Sequence, residues 1–313
     1  MAPTGILLID KAEGWTSHDV VAKTRRAMGT RKVGHAGTLD PMATGLLLLG
    51  VGSSTRLLTY LVGLPKVYTA TIRLGAETVT DDREGEVTMA AEPEKVLAVA
   101  EQRIHSEMSK LTGDILQSPS AVSAIKVDGR RAYDRVRAGE EVELKQRPVS
   151  VTEFELLEIR RDLVGAASRP VIDLDVRVAC SSGTYIRALA RDLGRALGVG
   201  GHLTELRRES IGPFTVADAV DVEQIDPERS LIHPAAAAGK IFEQFVLTSE
   251  ETRDLQHGKK LLVDLPDTQA LAALSPEGRL VGLIAVKKGK TKVLVNFPTD
   301  ESDEGSAARG GAE

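Results

Sequence analysis

The chain has one cysteine in 313 residues and no long hydrophobic run. A single thiol, Cys180, excludes an internal disulfide framework and is typical of a reducing cytoplasm. The longest apolar run, Leu46 to Val51, is interrupted by Gly50 and falls far short of the roughly 20 residues that cross a membrane. The N-terminal segment has no basic residue before its short apolar stretch, so it does not resemble a secretory signal. We therefore expect a soluble, cytoplasmic protein without a membrane partner.

An excess of Lys and Arg, the usual mark of a nucleic-acid-binding protein, is also missing, because the net charge is -5. The acidic residues are concentrated at the end, since residues 300–313 hold five acids and one base and leave the rest of the chain nearly neutral. Two basic runs remain, one formed by Lys23, Arg25, Arg26, Arg31 and Lys32 and the other by Lys287, Lys288, Lys290 and Lys292. Taken alone, either run fits a solvated face as well as a phosphate-binding surface.

Neither metal-ligand spacing nor a phosphate-binding fingerprint is present. The six histidines are scattered along the chain at positions 18, 35, 105, 202, 233 and 257, so we predict no metal site. The glycines around Asp40 are not followed by the Lys-Ser or Lys-Thr pair of a nucleotide-binding loop. We predict that the protein uses no cofactor.

Hydrophobic periodicity predicts an α+β protein rather than a dinucleotide-binding fold. The predicted strands are residues 5–10, 46–51, 66–74, 149–160 and 171–179, and the predicted helices are 16–28, 55–62, 92–111 and 185–197, with a further helix possible at 132–137. Tyr68, Ala70 and Ile72 should share one face of their strand. The Ala- and Pro-containing stretch 226–240 is interpreted as a linker, and residues 245–299 show a small all-β pattern.

Residues 34–45, with the sequence GHAGTLDPMATG, place one carboxylate, Asp40, in a turn flanked by glycines. Gly37 and Gly45 can adopt backbone angles that other residues avoid, and Pro41 disfavours helical geometry at the preceding Asp40. The turn should therefore be stiff and present its acid in one direction. A structural connector whose Asp caps its own backbone has the same pattern, so the residues alone leave both interpretations open.

The same turn resembles the signature of the TruB family of tRNA pseudouridine synthases. Five further motifs occur in the family's order, namely residues 11–17 (KAEGWTS), 66–68 (KVY), 117–133 (QSPSAVSAIKVDGRRAY), 180–187 (CSSGTYIR) and 202–208 (HLTELRR). Two positions depart from the family pattern, since Ala12 and Ser120 each replace a proline. Both changes should loosen a loop without touching a candidate catalytic residue.

The resemblance implies the pseudouridine synthase fold, with a mixed, mainly antiparallel sheet and a central cleft. It implies a catalytic domain over residues 1–235 and a small β-rich, PUA-like RNA-binding domain over 245–299, followed by a tail (300–313) whose composition predicts disorder. The implied activity is isomerisation of the uridine at position 55 of the tRNA T-loop to pseudouridine after base flipping. The implied partner is tRNA without a guide RNA, and we expect a monomer.

Three catalytic residues follow from the resemblance. Asp40 corresponds to the family's catalytic aspartate, and either nucleophilic attack or abstraction of a sugar proton remains open to it. Tyr68 corresponds to the tyrosine that stacks on the target base, and its phenol could relay the final proton. Arg187 corresponds to the arginine that pairs with the catalytic Asp.

Four substrate-binding residues follow in the same way. Leu206 corresponds to an apolar wall of the base pocket, although an isolated Leu on a helix is nearly always a core residue. Tyr185 should line the same pocket. His35 corresponds to a histidine that contacts splayed loop nucleotides, and Lys11 to a lysine near the cleft.

Two other functions stay compatible with the sequence. One is an RNA-binding protein that opens and reanneals tRNA tertiary contacts. The other is a guide-RNA-dependent synthase of the related archaeal and eukaryotic type, which the acidic end of the chain and the lack of a long lysine-rich tail disfavour.

Overall fold

The computed structural model describes residues 3–120, 126–127, 130–131, 145–165 and 168–297. The helix predicted at 132–137 and the tail 300–313 lie outside these residues. The strands are β1 (Gly5–Lys11), β2 (Val33–His35), β3 (Thr44–Val51), β4 (Lys66–Leu74), β5 (Ala76–Thr78), β6 (Val87–Ala90), β7 (Gly113–Gln117), β8 (Lys126–Val127), β9 (Arg130–Arg131), β10 (Arg147–Val164), β11 (Arg169–Cys180), β12 (Gly201–Ile211), β13 (Phe214–Thr215), β14 (Val220–Asp221), β15 (Leu231–Ile232), β16 (Gln244–Val246), β17 (Thr268–Leu274), β18 (Leu280–Lys287) and β19 (Lys290–Asn296).

Helices cover the sheet and join its strands. The α-helices are α1 (Ser17–Ala27), α2 (Leu58–Val62), α3 (Pro93–Leu97), α4 (Glu101–Lys110), α5 (Ile186–Leu197), α6 (Pro234–Gly239) and α7 (Ser249–Gln256), and 3-10 helices span Gly52–Leu57, Val216–Asp218 and Val222–Gln224. Among these helices, none has the length and apolar character that crossing a membrane requires.

A large mixed sheet forms the first part of the molecule, with the strand order β14-β1-β3-β12-β4-β11-β10-β7. Neighbours are antiparallel except for the parallel pairs β1 with β14 and β3 with β12. The second sheet, in the order β16-β17-β18-β19, forms the C-terminal part. This architecture confirms the predicted α+β fold with its mainly antiparallel sheet.

The central strand β4 shows how the sequence sets the two faces of the sheet. Tyr68, Ala70 and Ile72 are buried in one hydrophobic core together with the apolar side of α5, as the two-residue period predicts. On the opposite face Thr71 donates to Asp175, and Arg73 pairs with Asp173. One face therefore holds the core while the other is polar.

The structure tests two local helix predictions near the N-terminus. The helix predicted from residue 16 begins after Thr16, which forms a capping box with Asp19. The prediction for residues 55–62 is only partly right, because the chain forms a 3-10 helix up to Leu57 before α2 begins.

The single helix predicted over residues 92–111 is wrong, since two short helices, α3 and α4, form instead. Ala100 adopts an extended backbone conformation and is the N-cap residue directly before α4. Val96, Ile104 and Met108 are all buried in the same core, so the apolar spacing of three and four residues continues across the break. The periodicity therefore could not reveal the break.

The linker predicted over residues 226–240 is also wrong. Ile232 in β15 pairs with Ile6 of β1, and α6 buries Ala235, Ala237 and Ala238. These alanines belong to a core that also contains residues of β1, β3, β17 and β18. Because alanine side chains are small, the short helix can pack closely between the two sheets.

In the C-terminal sheet two of the three expected apolar runs, 280–286 and 293–295, form strands, but the all-β pattern missed α7. Thr248 and Glu251 form a capping box at the start of this helix, a signal that the sequence TSEE carries. The apolar run 261–263 forms no strand and contributes only an isolated bridge between Leu262 and Lys290.

Candidate active site

Asp40 lies in the turn between β2 and β3, and the backbone of this turn is fixed at several points. Gly37 and Gly45 have φ values of +98° and +96°, which other residues rarely adopt. The Ser17 hydroxyl donates to the Leu39 carbonyl at 3.1 Å and accepts from the Leu39 amide at 2.9 Å. The Asp40 side chain is 35% exposed. A rigid turn therefore presents the carboxylate to solvent, as the sequence predicts.

Arg187 contacts this carboxylate through two of its nitrogens. Its Nε lies 3.0 Å from Asp40 Oδ2, and its Nη2 donates to Oδ1 at 3.3 Å. Arg187 is the second residue of α5, directly after Ile186, and its side chain is only 8% exposed. Two-point contact between a guanidinium and a carboxylate fixes the orientation of both groups. The structure thus brings the predicted pair together.

Asp82, which the sequence analysis did not single out, contacts the same guanidinium. Its Oδ2 lies 3.4 Å from Arg187 Nη1, which also donates to the Thr80 carbonyl at 2.8 Å. Asp82 is nearly fully buried, and it accepts hydrogen bonds from the Thr80 hydroxyl and the Glu84 amide. A buried acid held in this way restrains Arg187.

A cleft of about 380 Å³ opens beside the Asp40 carboxylate. It is lined by Gly37, Thr38, Leu39, Asp40, Val62, Lys66, Tyr68, Ser182, Gly183, Thr184, Tyr185, Ile186, Arg187, Leu206 and Arg208. A volume of this size falls within the range of small-molecule sites. The cleft therefore has room for a nucleobase next to a single oriented acid.

Three of the predicted residues form apolar or aromatic walls of this cleft. Tyr68 and Leu206 are buried, and Tyr185 is half-buried. Burial raises the pKa of the Tyr68 phenol, and it raises the pKa of Tyr185 in the same way. Leu206 lies on strand β12, which corrects the expectation of a helix there.

Lys11 and His35 do not line the cleft. Lys11 is fully buried, and its ammonium donates to the carbonyls of Ala12, Trp15 and Pro41 at 3.0, 2.7 and 3.2 Å. Burial lowers the pKa of Lys11 to about 8. Because Pro41 follows Asp40, the ammonium supports the turn from inside, a placement that does not favour direct contact with a substrate.

His35 lies at the end of β2, where it pairs with Leu49. Its ring meets the exposed His18 ring edge-on, with 5.9 Å between the ring centres. Burial lowers the pKa of His35, so its ring is mainly neutral near pH 7. Within the described part of the chain its buried Nδ1 has no hydrogen-bond partner.

Two buried basic residues in the cleft wall were not predicted. Lys66 Nζ donates to the carbonyls of Val62 and Leu64, and burial lowers its pKa to about 8. Arg208 donates to the carbonyls of Leu46 and Gly37. Each lies two positions from a predicted residue, Lys66 from Tyr68 and Arg208 from Leu206, and so shares a strand face with it, but the contacts of Arg208 depend on strand pairings distant in sequence.

Over the described ranges, no three His, Cys, Asp or Glu side chains gather closely enough to hold a metal ion. That the reaction needs neither a metal nor a cofactor stays a prediction.

Solved structures share this fold. One, described as "Structure of H/ACA RNP bound to a substrate RNA containing 2'-deoxyuridine", matches with a TM-score of 0.67 and 24% identity over 95% of this chain and 86% of that one. Another, "Crystal structure of the archaeal box H/ACA sRNP Nop10-Cbf5 complex", gives the same TM-score and identity over 96% and 88%. The chain therefore shares its fold with these solved proteins.

Sequence comparison then gives the family. The family model "TruB family pseudouridylate synthase (N terminal domain)" matches residues 25–186, and two C-terminal models of the same family match residues 187–240 and 242–298. Relatives named "tRNA pseudouridine synthase B" include one from Leifsonia xyli, 57% identical over 96% of this chain and 99% of that protein. One from Streptomyces coelicolor is 49% identical over 94% and 97%. The chain belongs to the TruB family of pseudouridylate synthases, which confirms the resemblance seen in its motifs.

Proposed function

We propose that the protein converts the uridine at position 55 of the tRNA T-loop to pseudouridine. The observation that carries this proposal is the single Asp40 carboxylate, fixed by Arg187 beside a cleft walled by Tyr68 and Leu206. The names of its relatives support tRNA as the substrate. A uridine in a tRNA loop must leave its stack to reach the cleft, at a cost of a few kcal/mol.

The reaction exchanges one bond of the ribose for another. The bond between the ribose C1' and the uracil N1 breaks, its electron pair leaves with the base, and a new bond forms between C1' and C5. The proton on C5 is then lost, and N1 gains one. Asp40 either attacks C1' or takes a sugar proton, and in both routes Arg187 neutralises and orients its carboxylate.

The cleft walls hold the base during this exchange. Tyr68 stacks on the uracil ring, and its raised pKa keeps the phenol protonated at neutral pH, so that it can hydrogen bond and relay the final proton. Leu206 and Tyr185 confine the detached base. These contacts keep the uracil near C1' while it turns.

Contacts outside the cleft hold the rest of the tRNA. We propose that His35, next to the Asp40 turn, contacts loop nucleotides, and that Lys11 acts through the turn that it supports. The four lysines of the second basic run are all exposed on the hairpin between β18 and β19. In the first run Lys23 pairs with Glu223, while Arg26 and Arg31 are exposed. Both runs are proposed backbone contacts.

We further propose the division into a catalytic domain (1–235), a PUA-like RNA-binding domain (245–299) and an acidic tail (300–313). The protein acts as a cytoplasmic monomer without a guide RNA. The match of a separate family model to residues 242–298 supports the start of the second domain near residue 245.

The test is release of tritium from unmodified tRNA transcript labelled at uracil C5, without guide RNA. Wild type should release tritium and Asp40→Asn should not. Asp10→Asn is a matched control, because Asp10 also meets an arginine, Arg207, through two oxygens, and its side chain has a similar exposure of 37%. Asp10 does not line the cleft, so this variant should keep its activity.

Other outcomes would favour the other functions. Binding of tRNA without tritium release from wild type would contradict the proposal and favour an RNA-folding protein. Release only after a guide RNA is added would favour a guide-dependent synthase.

A further inference from the structure

Arg208 lies in β12 between the strands that carry the two sides of the cleft. In the pairing of β12 with β3 it is opposite Gly45, and in the pairing with β4 it is opposite Tyr68. The residue is 1% exposed. One buried side chain is thus adjacent both to the end of the Asp40 turn and to the aromatic wall.

The guanidinium of Arg208 bridges the two ends of the turn. Its Nε donates to the Leu46 carbonyl at 2.7 Å, and its Nη2 donates to the Gly37 carbonyl at 3.1 Å. Gly37 precedes Asp40 in the chain and Leu46 follows it. Charged donors form strong hydrogen bonds to buried carbonyls, and their loss would leave those carbonyls unsatisfied.

Gly37 and Gly45, at the two ends of the turn, both lie close to Arg208. A Cβ atom at Gly45 would collide with the backbone of Arg208, and one at Gly37 would lie 3.6 Å from its Nη1. The two positive φ values therefore occur where the chain approaches Arg208. Its charge also acts on Tyr68, because it opposes the effect of burial on the phenol.

We propose that Arg208 is a positioning residue, which holds the Asp40 turn closed and keeps it at a fixed distance from the Tyr68 ring. The inference rests on the proposed function. Arg208 forms part of the cleft wall, and it acts through the Leu46 and Gly37 carbonyls that its guanidinium holds rather than on the reacting atoms. Lysine should not fully replace it, since an ammonium lacks the planar guanidinium whose Nε and Nη2 hold the two carbonyls in one fixed orientation.

The experiment compares Arg208→Met, Arg208→Lys and Arg207→Met in single-turnover tritium release with saturating tRNA transcript. Arg207→Met is the matched control, because Arg207 is the next residue of the strand and pairs with Asp10 outside the cleft. Arg208→Met should slow the reaction by about 100-fold, the effect of a misplaced reacting group, while the Kd for tRNA changes by less than about threefold. Arg208→Lys should recover part of the rate, and Arg207→Met should stay within about threefold of wild type.

Thermal unfolding and the pH dependence of the rate separate positioning from loss of fold. A loss of rate that merely follows the unfolded fraction, and that Arg207→Met shows equally, would overturn the inference. If Arg208→Met does not fold, Arg208→Lys decides, since a wild-type rate for it would also overturn the inference. If Arg208→Met reacts at the wild-type rate while Asp40→Asn is inactive, only the role of Arg208 is overturned and the proposed function stands. An inactive wild type would instead remove the proposed function, and this inference with it.

Discussion

Asp82 contacts Arg187 at 3.4 Å, through the same guanidinium that contacts Asp40. Two successive contacts therefore orient the Asp40 carboxylate: buried Asp82 holds Arg187, and Arg187 holds Asp40. We predict that Asp82→Asn lowers the single-turnover rate by about 100-fold with little change in Kd, because Arg187 loses one of its restraints. Single-turnover rates and Kd values for tRNA, measured for wild type and Asp82→Asn under the same conditions, check this prediction.

Asp192→Asn is the control for that variant, since Asp192 pairs with a neighbouring arginine of α5, Arg191. Its rate should stay near that of wild type. Equal losses in Asp82→Asn and Asp192→Asn would show that any acid paired with α5 matters, and would contradict the specific role of Asp82.

Lys11 gives a prediction for stability against pH. Its pKa is about 8 in the folded protein, below the ordinary lysine value of 10.5, so the unfolded chain binds more protons between these values. Stability therefore rises with pH in this window, because the cost of burying the charged form disappears. Between pH 7 and pH 9.5 wild type should gain about 2 kcal/mol relative to Lys11→Met.

Urea unfolding of both proteins at the two pH values measures this difference. Lys66 titrates in the same direction, but it is present in both proteins and cancels. A stability difference that stays constant with pH would contradict the buried, charged state of Lys11 at neutral pH.

The exposed lysines at 287, 288, 290 and 292, on the hairpin formed by β18 and β19, should act on tRNA binding and not on the chemical step. For Lys288→Ala combined with Lys290→Ala we expect a higher Kd, and a slope of log Kd against log salt smaller by about 1 for each lost phosphate contact. The single-turnover rate at saturating tRNA should not change. Lys110→Ala, which removes an exposed lysine paired with Glu107, is the control. An unchanged salt dependence in the double variant would exclude these lysines as tRNA contacts.

Helix α6 packs in a core that residues of both sheets share, so we predict that its buried positions contribute to stability. Ala237 is fully buried in the core that both sheets share, so Ala237→Leu should overfill it and cost about 1–3 kcal/mol of unfolding free energy. Ala236 lies on the exposed side of the same helix, and Ala236→Leu should be nearly neutral. Thermal and urea unfolding of the two variants give the comparison. Equal stabilities would mean that the helix behaves as the linker that its composition suggested.

The sequence was sufficient for the parts of the site that local motifs encode. Asp40 and Tyr68 lie in short segments whose glycines, proline and strand period define their geometry, and Arg187 follows a turn at the start of a helix. Asp82 was missed because it has no local signature and reaches Arg187 only in the folded chain. Arg208 was missed because its role depends on two strand pairings distant in sequence.

Burial by distant residues also explains the errors in the fold. The alanines of α6 look like linker residues until β1 and β18 pack on them. Lys11 resembles a surface cation in the sequence, yet three carbonyls enclose its ammonium. In both cases tertiary contacts, which composition does not report, decide the outcome.

Conversion of uridine 55 can be tested by mapping pseudouridine along an unmodified tRNA transcript after incubation with the purified protein alone. Carbodiimide labelling followed by primer extension locates each modified position. We expect one new stop, reporting uridine 55, that is absent with Asp40→Asn and present with Asp10→Asn. A stop at another uridine, or the same stop with Asp40→Asn, would contradict it.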